Sequence, residues 1–335
     1  MILPTFLDVQ AAQQRIAGRV DTTPIVTSNL LNDWLGHTVL FKAECLQKTG
    51  AFKLRGATNF IQRALAEERL PDYIVANSSG NHAQAVTYAG AQAGRDVTIF
   101  SAENISAVKA QGTIEYGADL RLFPTRLEAD EAVKAAASED NVIWIPPFNH
   151  ADIISGQGTA TLEALQQCRA QDITPNAVFA PCGGGGLVSG ALLATRELAP
   201  KAQVIGVEPQ NANDASISLQ QGAIHTLTTP PDTLADGAAT PAVGDLTFAL
   251  LQELDGFYEA SETHIAYWTQ WLQHLLKLHI EPTCCMTMAG VVGWLAEQTS
   301  PQTVLVMLSG GNISAQSMRK IYTVDYLGQA PSLQI

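Results

Sequence analysis

Along the chain, short runs of β-branched and aliphatic residues alternate with longer stretches whose apolar positions recur every three to four residues. The short runs predict strands at 38–42, 73–76, 97–100, 120–123, 142–145, 177–180, 203–207 and 304–308. Helical spacing between them predicts helices over 81–93, 126–137, 158–169, 187–198 and 265–278. Strands joined by crossover helices imply α/β architecture, with parallel-type sheets flanked by helices on both faces. Four strand–helix repeats of similar length fall between Tyr73 and Phe148. Residues 73–149 are therefore expected to form a small unit, inserted into a larger discontinuous one built from 1–72 and 150–335. Pro230-Pro231 blocks helix within 226–241, which reads as an irregular surface connection. Trp268, Trp271, Leu272, Leu275 and Leu278 fit one buried helix face, a candidate subunit contact.

A length of 335 residues suits about two domains. The 19 basic against 32 acidic residues give a net charge of −13, which argues against nucleic acid or an anionic membrane as partner. Residues 173–195 carry no charge, long enough to raise the question of a membrane span. Pro175, Asn176, Pro181 and four consecutive glycines make a continuous helix there unfavourable. The apolar patch 1–7 is too short for a secretory leader and is cut by Asp8. Five cysteines, with no C-x-x-C, read as a reduced, cytoplasmic protein, and Cys284-Cys285 reads as two small buried residues rather than a redox pair. His264, His274 and His279 have no carboxylate or cysteine spacing that supports a metal.

Several segments carry chemistry. In Lys48-Thr49-Gly50-Ala51-Phe52-Lys53, Lys53 stands where a glycine-bearing loop meets a helix start. It is either an exposed cation or a semi-buried amine of lowered pKa, able to form a Schiff base. Asn77-Ser78-Ser79-Gly80-Asn81-His82 follows a strand and opens a helix; an ordinary N-cap needs one such polar residue, and the run suits an anion site. Cys182-Gly183-Gly184-Gly185-Gly186-Leu187 lets backbone amides wrap one phosphate. Gly184-x-Gly186-x-x-Ser189, with Glu208 about 20 residues on, also approximates a dinucleotide fingerprint. Ser309-Gly310-Gly311-Asn312 is a further strand-to-helix turn. Glu208, Asp214 and nearby carbonyls read either as a solvated acidic turn or as oxygen ligands for a hard cation.

In this order, the segments resemble the fold-type II pyridoxal-phosphate (PLP) enzymes, tryptophan synthase β-like in fold. The closest likeness is to the serine/threonine dehydratase and serine racemase family, and it covers nearly the whole chain. A nicotinamide site would leave Lys53 and Ser309 unexplained. The resemblance implies that Lys53 carries PLP as a Schiff base and moves the substrate α-proton. It puts Phe52 against the pyridine ring, Asn81 on the 3′ oxygen, Gly183, Gly184, Gly185, Gly186 and Leu187 around the phosphate, and Ser309 at the pyridine nitrogen. Ser78, Ser79, Asn81 and His82 match the substrate-carboxylate loop, and Ser79 matches an opposite-face acid/base. Glu208, the Ala212 carbonyl and Asp214 match a divalent-cation site for Mg or Ca.

The expected reaction is β-elimination from a small amino acid such as L-threonine or L-serine, giving a 2-keto acid and ammonia. A neutral hydroxyl opposite the ring nitrogen makes a moderate electron sink, which favours elimination over transamination. Serine racemase and 3-hydroxyaspartate dehydratase are the alternatives within enzymes; a PLP carrier or sensor without turnover is the alternative outside them. Three positions depart from the family pattern: Ala51 replaces a usual serine, Phe148 replaces the asparagine of serine racemases, and an arginine of some racemases is missing around Asp130. The chain stops soon after Tyr322, so no regulatory domain and no isoleucine feedback are expected. Homodimerisation is expected from the resemblance alone.

Overall fold

The computed structural model describes residues 2–78 and 80–334. Its strands are β1 Ile25–Thr27, β2 Thr38–Ala43, β3 Tyr73–Asn77, β4 Asp96–Ala102, β5 Asp119–Phe123, β6 Val142–Trp144, β7 Ala177–Pro181, β8 Gln203–Pro209, β9 Gly256–Ala260 and β10 Thr303–Leu308. They form a six-stranded sheet in the order β1-β2-β10-β7-β8-β9 and a four-stranded sheet in the order β5-β4-β3-β6. Every pairing is parallel except β1 with β2. The central strands β7 and β10 are apolar and buried, as a sheet covered on both faces requires.

Each expected strand is present, and the two short ones the pattern missed, β1 and β9, lie at the edges of the larger sheet. Helix boundaries differ more. The helix expected from residue 158 starts seven residues earlier, at Ala151, with His150 Nδ1 accepting from the Asp152 N–H at 3.1 Å. Its glycines do not end it; they let it touch the helix Gly186–Leu198. A Cβ on Gly158 would lie 2.9 Å from the Gly190 carbonyl oxygen, and one on Gly190 would lie 2.5 Å from the Gly158 nitrogen. The helix Glu262–Leu276 stops before the expected residue 278 because Lys277 turns left-handed at φ 58°. Trp268, Trp271 and Leu272 are buried on it as expected. The 226–241 connection is irregular apart from one short turn, Asp236–Ala238, but it is not all surface: Ala235, Ala238 and Thr240 are buried. Cys284 and Cys285 are free, buried thiols. Among the described residues no helix is long and apolar enough to cross a membrane.

A buried ionic cluster fixes the helix Lys53–Ala66 against β2. Arg55 donates from Nε and Nη2 to the two carboxylate oxygens of Glu44, each at 2.7 Å, and also reaches Glu163. Lys42 on β2 pairs with the same Glu163 at 2.5 Å. Both cations are fully buried, and two carboxylates answer them, so no charge is left uncompensated.

Candidate active site

Parallel strands end at one edge, so turns after neighbouring strands meet there. The turn after β10 brings Ser309, the glycines follow β7, and Lys53 follows β2 after a short connection. The Phe52 N–H donates to the Ser309 carbonyl at 3.0 Å, and Ala51 forms a bridge with Gly310. Ala51 has no exposed surface, so the small side chain fits the close approach of these two turns. From the four-stranded sheet, the turn after β3 delivers Asn81 and His82 to the same cleft.

The Lys53 amine donates to the Pro147 carbonyl at 2.6 Å and lies 5.2 Å from the centre of the Phe52 ring. Loss of water contact, reinforced by the Arg126 cation, pulls its pKa down to about 8, while Glu281 opposes the shift. The semi-buried amine is therefore the reading that the geometry bears out over an exposed cation.

After β7, no backbone N–H from Gly183 to Val188 has a protein acceptor among the described residues; Ser189 is the first, onto the Gly185 carbonyl at 2.9 Å. Gly185 sits at φ +87°, a conformation glycine tolerates. A Cβ on Gly184 would overlap the Phe148 ring, and one on Gly183 would lie 3.0 Å from the Ala238 Cα. These free amides at a helix N-terminus form an anion cup without a cationic side chain. The Ser309 hydroxyl is 1% exposed and has no hydrogen-bond partner. A buried orphan hydroxyl is costly unless a ligand atom meets it, which is what a pyridine nitrogen would do.

Asn81 is held at both ends: Nδ2 donates to Glu281 at 2.8 Å, and Oδ1 accepts from Asn312 at 2.9 Å. Asn312 also donates to the Thr49 carbonyl, tying the lysine turn to the asparagine. Glu281 is almost fully buried, and burial pushes its pKa up to about 7. His82 contacts the Ile145 carbonyl through Nε2 at 2.9 Å; burial and the Lys53 charge depress its pKa to about 3, so it is neutral. The Ser78 hydroxyl accepts from the Gly80 N–H at 3.1 Å. Ser79 lies outside the described residues. Sequence reading missed Glu281, Pro147, Lys109 and Asp236; none belongs to a motif, and only their three-dimensional neighbours reveal them.

Glu208 ends β8 beside the glycine turn and accepts from the Ser216 and Ala215 N–H groups at 2.6 and 3.2 Å. That fixes it on the helix Asp214–Gln221 rather than at a ribose, against the dinucleotide reading. Both Asp214 oxygens are buried without hydrogen bonds, and burial raises Glu208 to about 9 and Asp214 to about 7. A buried carboxylate without partners, beside a second that meets only backbone N–H groups, fits a cation. Among the described residues no cluster of three or more His, Cys, Asp and Glu side chains converges, so carbonyls such as Ala212 and water would complete the shell.

An anion cup, a buried lysine amine and an orphan hydroxyl at one sheet edge suit an α/β enzyme that holds a phosphate-bearing cofactor. The chain belongs to the pyridoxal-phosphate dependent enzyme family, whose model matches residues 16–310. It is 39% identical to the L-threo-3-hydroxyaspartate ammonia-lyase of Saccharomyces cerevisiae, covering 93% of this chain and 94% of that one. It is 36% identical to the serine racemase of Dictyostelium discoideum, over 96% and 98% of the two chains. A threonine deaminase structure from T.th. superposes with a TM-score of 0.87 at 40% identity, covering 93% of this chain and 99% of that chain. The chain is thus a fold-type II PLP enzyme of the ammonia-lyase and racemase group.

Proposed function

We propose that this enzyme eliminates water from a small β-hydroxy amino acid, L-threonine or L-serine, to give a 2-keto acid and ammonia. When bound, PLP supplies the electron sink that stabilises negative charge at the substrate α-carbon. Lys53 would anchor it and, once displaced by the substrate amine, remove the α-proton; a lowered pKa keeps part of this amine neutral and able to act. Phe52 would pack beside the ring, and Asn81, fixed by Glu281 and Asn312, would orient its 3′ oxygen. The free amides of Gly183 to Leu187 would hold the phosphate. Ser78, Ser79, Asn81 and the neutral His82 receive the substrate carboxylate, with Ser79 as opposite-face acid/base. The observation that carries elimination over transamination is the buried, unpartnered Ser309 hydroxyl: it could share a hydrogen bond with the ring nitrogen but would bring no charge to fix a protonated ring. The released enamine then hydrolyses in water.

Phe148, packed over Gly184 and Gly186, lines the cleft with an apolar ring and suits the threonine methyl group. A second reading, 3-hydroxyaspartate dehydration, is favoured by Arg126. This half-exposed cation acts on Lys53 and is tied to the Ala239 carbonyl at 3.1 Å, where a second substrate carboxylate would meet it. The test is a panel of L-threonine, L-serine and L-threo-3-hydroxyaspartate, read as 2-oxobutanoate, pyruvate and oxaloacetate, with chiral analysis of residual serine. Oxaloacetate as the main product, lost in Arg126→Ala, would replace the first reading with the second. Scrambled serine without keto acid would replace both with racemisation. We further propose a Mg or Ca ion on Glu208, the Ala212 carbonyl and Asp214, a homodimer, a cytoplasmic enzyme, and residues 73–149 as the smaller unit.

A further inference from the structure

Helix Ala107–Glu115, which follows β4, buries only two residues, and one of them is a lysine. Lys109 is 3% exposed, an uncommon state for a side chain that must be paired when it leaves water. Its partner is Asp236 Oδ2, at 2.6 Å. The pair joins two different sheets: Lys109 sits between β4 and β5 of the four-stranded sheet, and Asp236 between β8 and β9 of the other. Asp236 is half exposed, so the lysine, not the carboxylate, bears the burial.

What the lysine is buried against matters. A Cβ on Gly80 would lie 2.6 Å from Lys109 Cδ and 3.2 Å from Nζ, so the ammonium lies directly behind the loop that opens the Asn81 helix. Gly80 is extended at φ 176°; it is this contact, rather than backbone strain, that excludes a side chain. Residues 78–82 hold no cation of their own, and His82 is neutral. Gly310 is packed on Glu281 in the same way, and the Glu281 carboxylate is near enough to help raise the Lys109 pKa.

We propose that Lys109 is a positioning residue: fixed by Asp236, its ammonium supplies the positive charge behind Gly80, at the turn into the Asn81 helix, in the loop proposed to receive the substrate carboxylate. This rests on the loop's role as stated above, but not on which reaction follows. A buried charge at fixed distance selects for a carboxylate without forming a covalent contact, and it works only while the two sheets are held together.

The test compares two ligands of the PLP-loaded enzyme, L-alanine and ethylamine, which share the amine and differ in the carboxylate. Neither undergoes β-elimination, so binding is read from the shift in cofactor absorbance whatever the natural substrate. Wild type should bind L-alanine far more tightly than ethylamine. Lys109→Met, which keeps the aliphatic stem, should reduce that ratio at least tenfold with cofactor absorbance retained. Asp236→Asn, at a half-exposed site that tolerates the change, should reduce it severalfold. An unchanged ratio in Asp236→Asn and in folded Lys109→Met overturns the proposal; so does equal weakening of both ligands, the mark of a merely structural lysine. Tighter binding of L-alanine in either variant also overturns it.

Discussion

Lys53 differs from an ordinary lysine in one measurable way, its lowered pKa. With a value of about 8, roughly a tenth of the amine is neutral at pH 7, against under about 0.1% for an unperturbed lysine. Cofactor capture needs the neutral amine, so cofactor-free protein should take up PLP faster as pH rises through about 8 and about tenfold more slowly per unit below it. Arg126→Gln removes the neighbouring cation and should move that midpoint upward; an unmoved midpoint would assign the whole shift to burial. Stopped-flow absorbance reads both. The residue scale is also where the sequence spoke most directly. Lys53, Asn81, Ser309 and the four glycines sit in motifs whose glycine and hydroxyl content already pointed to a ligand. Glu281 and Lys109 lie in no such motif. Their importance comes from what they are buried against, and one chain without its folded contacts carries no mark of that.

Among elements, β2 and the helix Lys53–Ala66 must keep a fixed relation if Lys53, the first residue of that helix, is to act as proposed. The Arg55 cluster holds them. Arg55→Met leaves Glu44 buried without its partner and should cost about 3–5 kcal/mol in a denaturant titration. Gly190→Ala presses a methyl against the Gly158 backbone and should cost about 1–3 kcal/mol by the same measurement. Strand prediction succeeded where runs were apolar and central, as in β7 and β10. It failed at β1 and β9, which are edge strands and are respectively too short and too mixed to show a period. Helix starts were misread where glycine served close helix packing instead of termination, as at Gly156 and Gly158. A sequence gives the residue but not its partner across the interface.

For the whole molecule, two sheets present their carboxyl edges to one cleft, and residues distant in sequence assemble the site: Asn81 meets Glu281, and Lys109 meets Asp236. The net charge of −13 does not oppose an anionic cofactor if the cup proposed to receive it is the glycine turn, whose donors are neutral amides. The uncharged interval 173–195 is that cup with its strand and helix, which explains its lack of charge without a membrane. Next to it, the Glu208–Asp214 pair should make the fold respond to cations: Mg or Ca should raise the thermal midpoint of metal-free protein by several degrees, and Asp214→Asn should abolish the response. The same midpoint with and without either metal would assign the pair to structure alone.

That Lys53 carries PLP and drives β-elimination is the proposal on which the enzyme's function rests. It is tested most directly by assaying keto acid and ammonia from L-threonine and L-serine with wild type and Lys53→Ala, while recording cofactor absorbance. Wild type should release the two products in equal amounts, and the variant should lose at least about a thousandfold in rate together with the lysine-linked absorbance band. Equal rates in the two proteins, or a band that survives the substitution, would contradict the account.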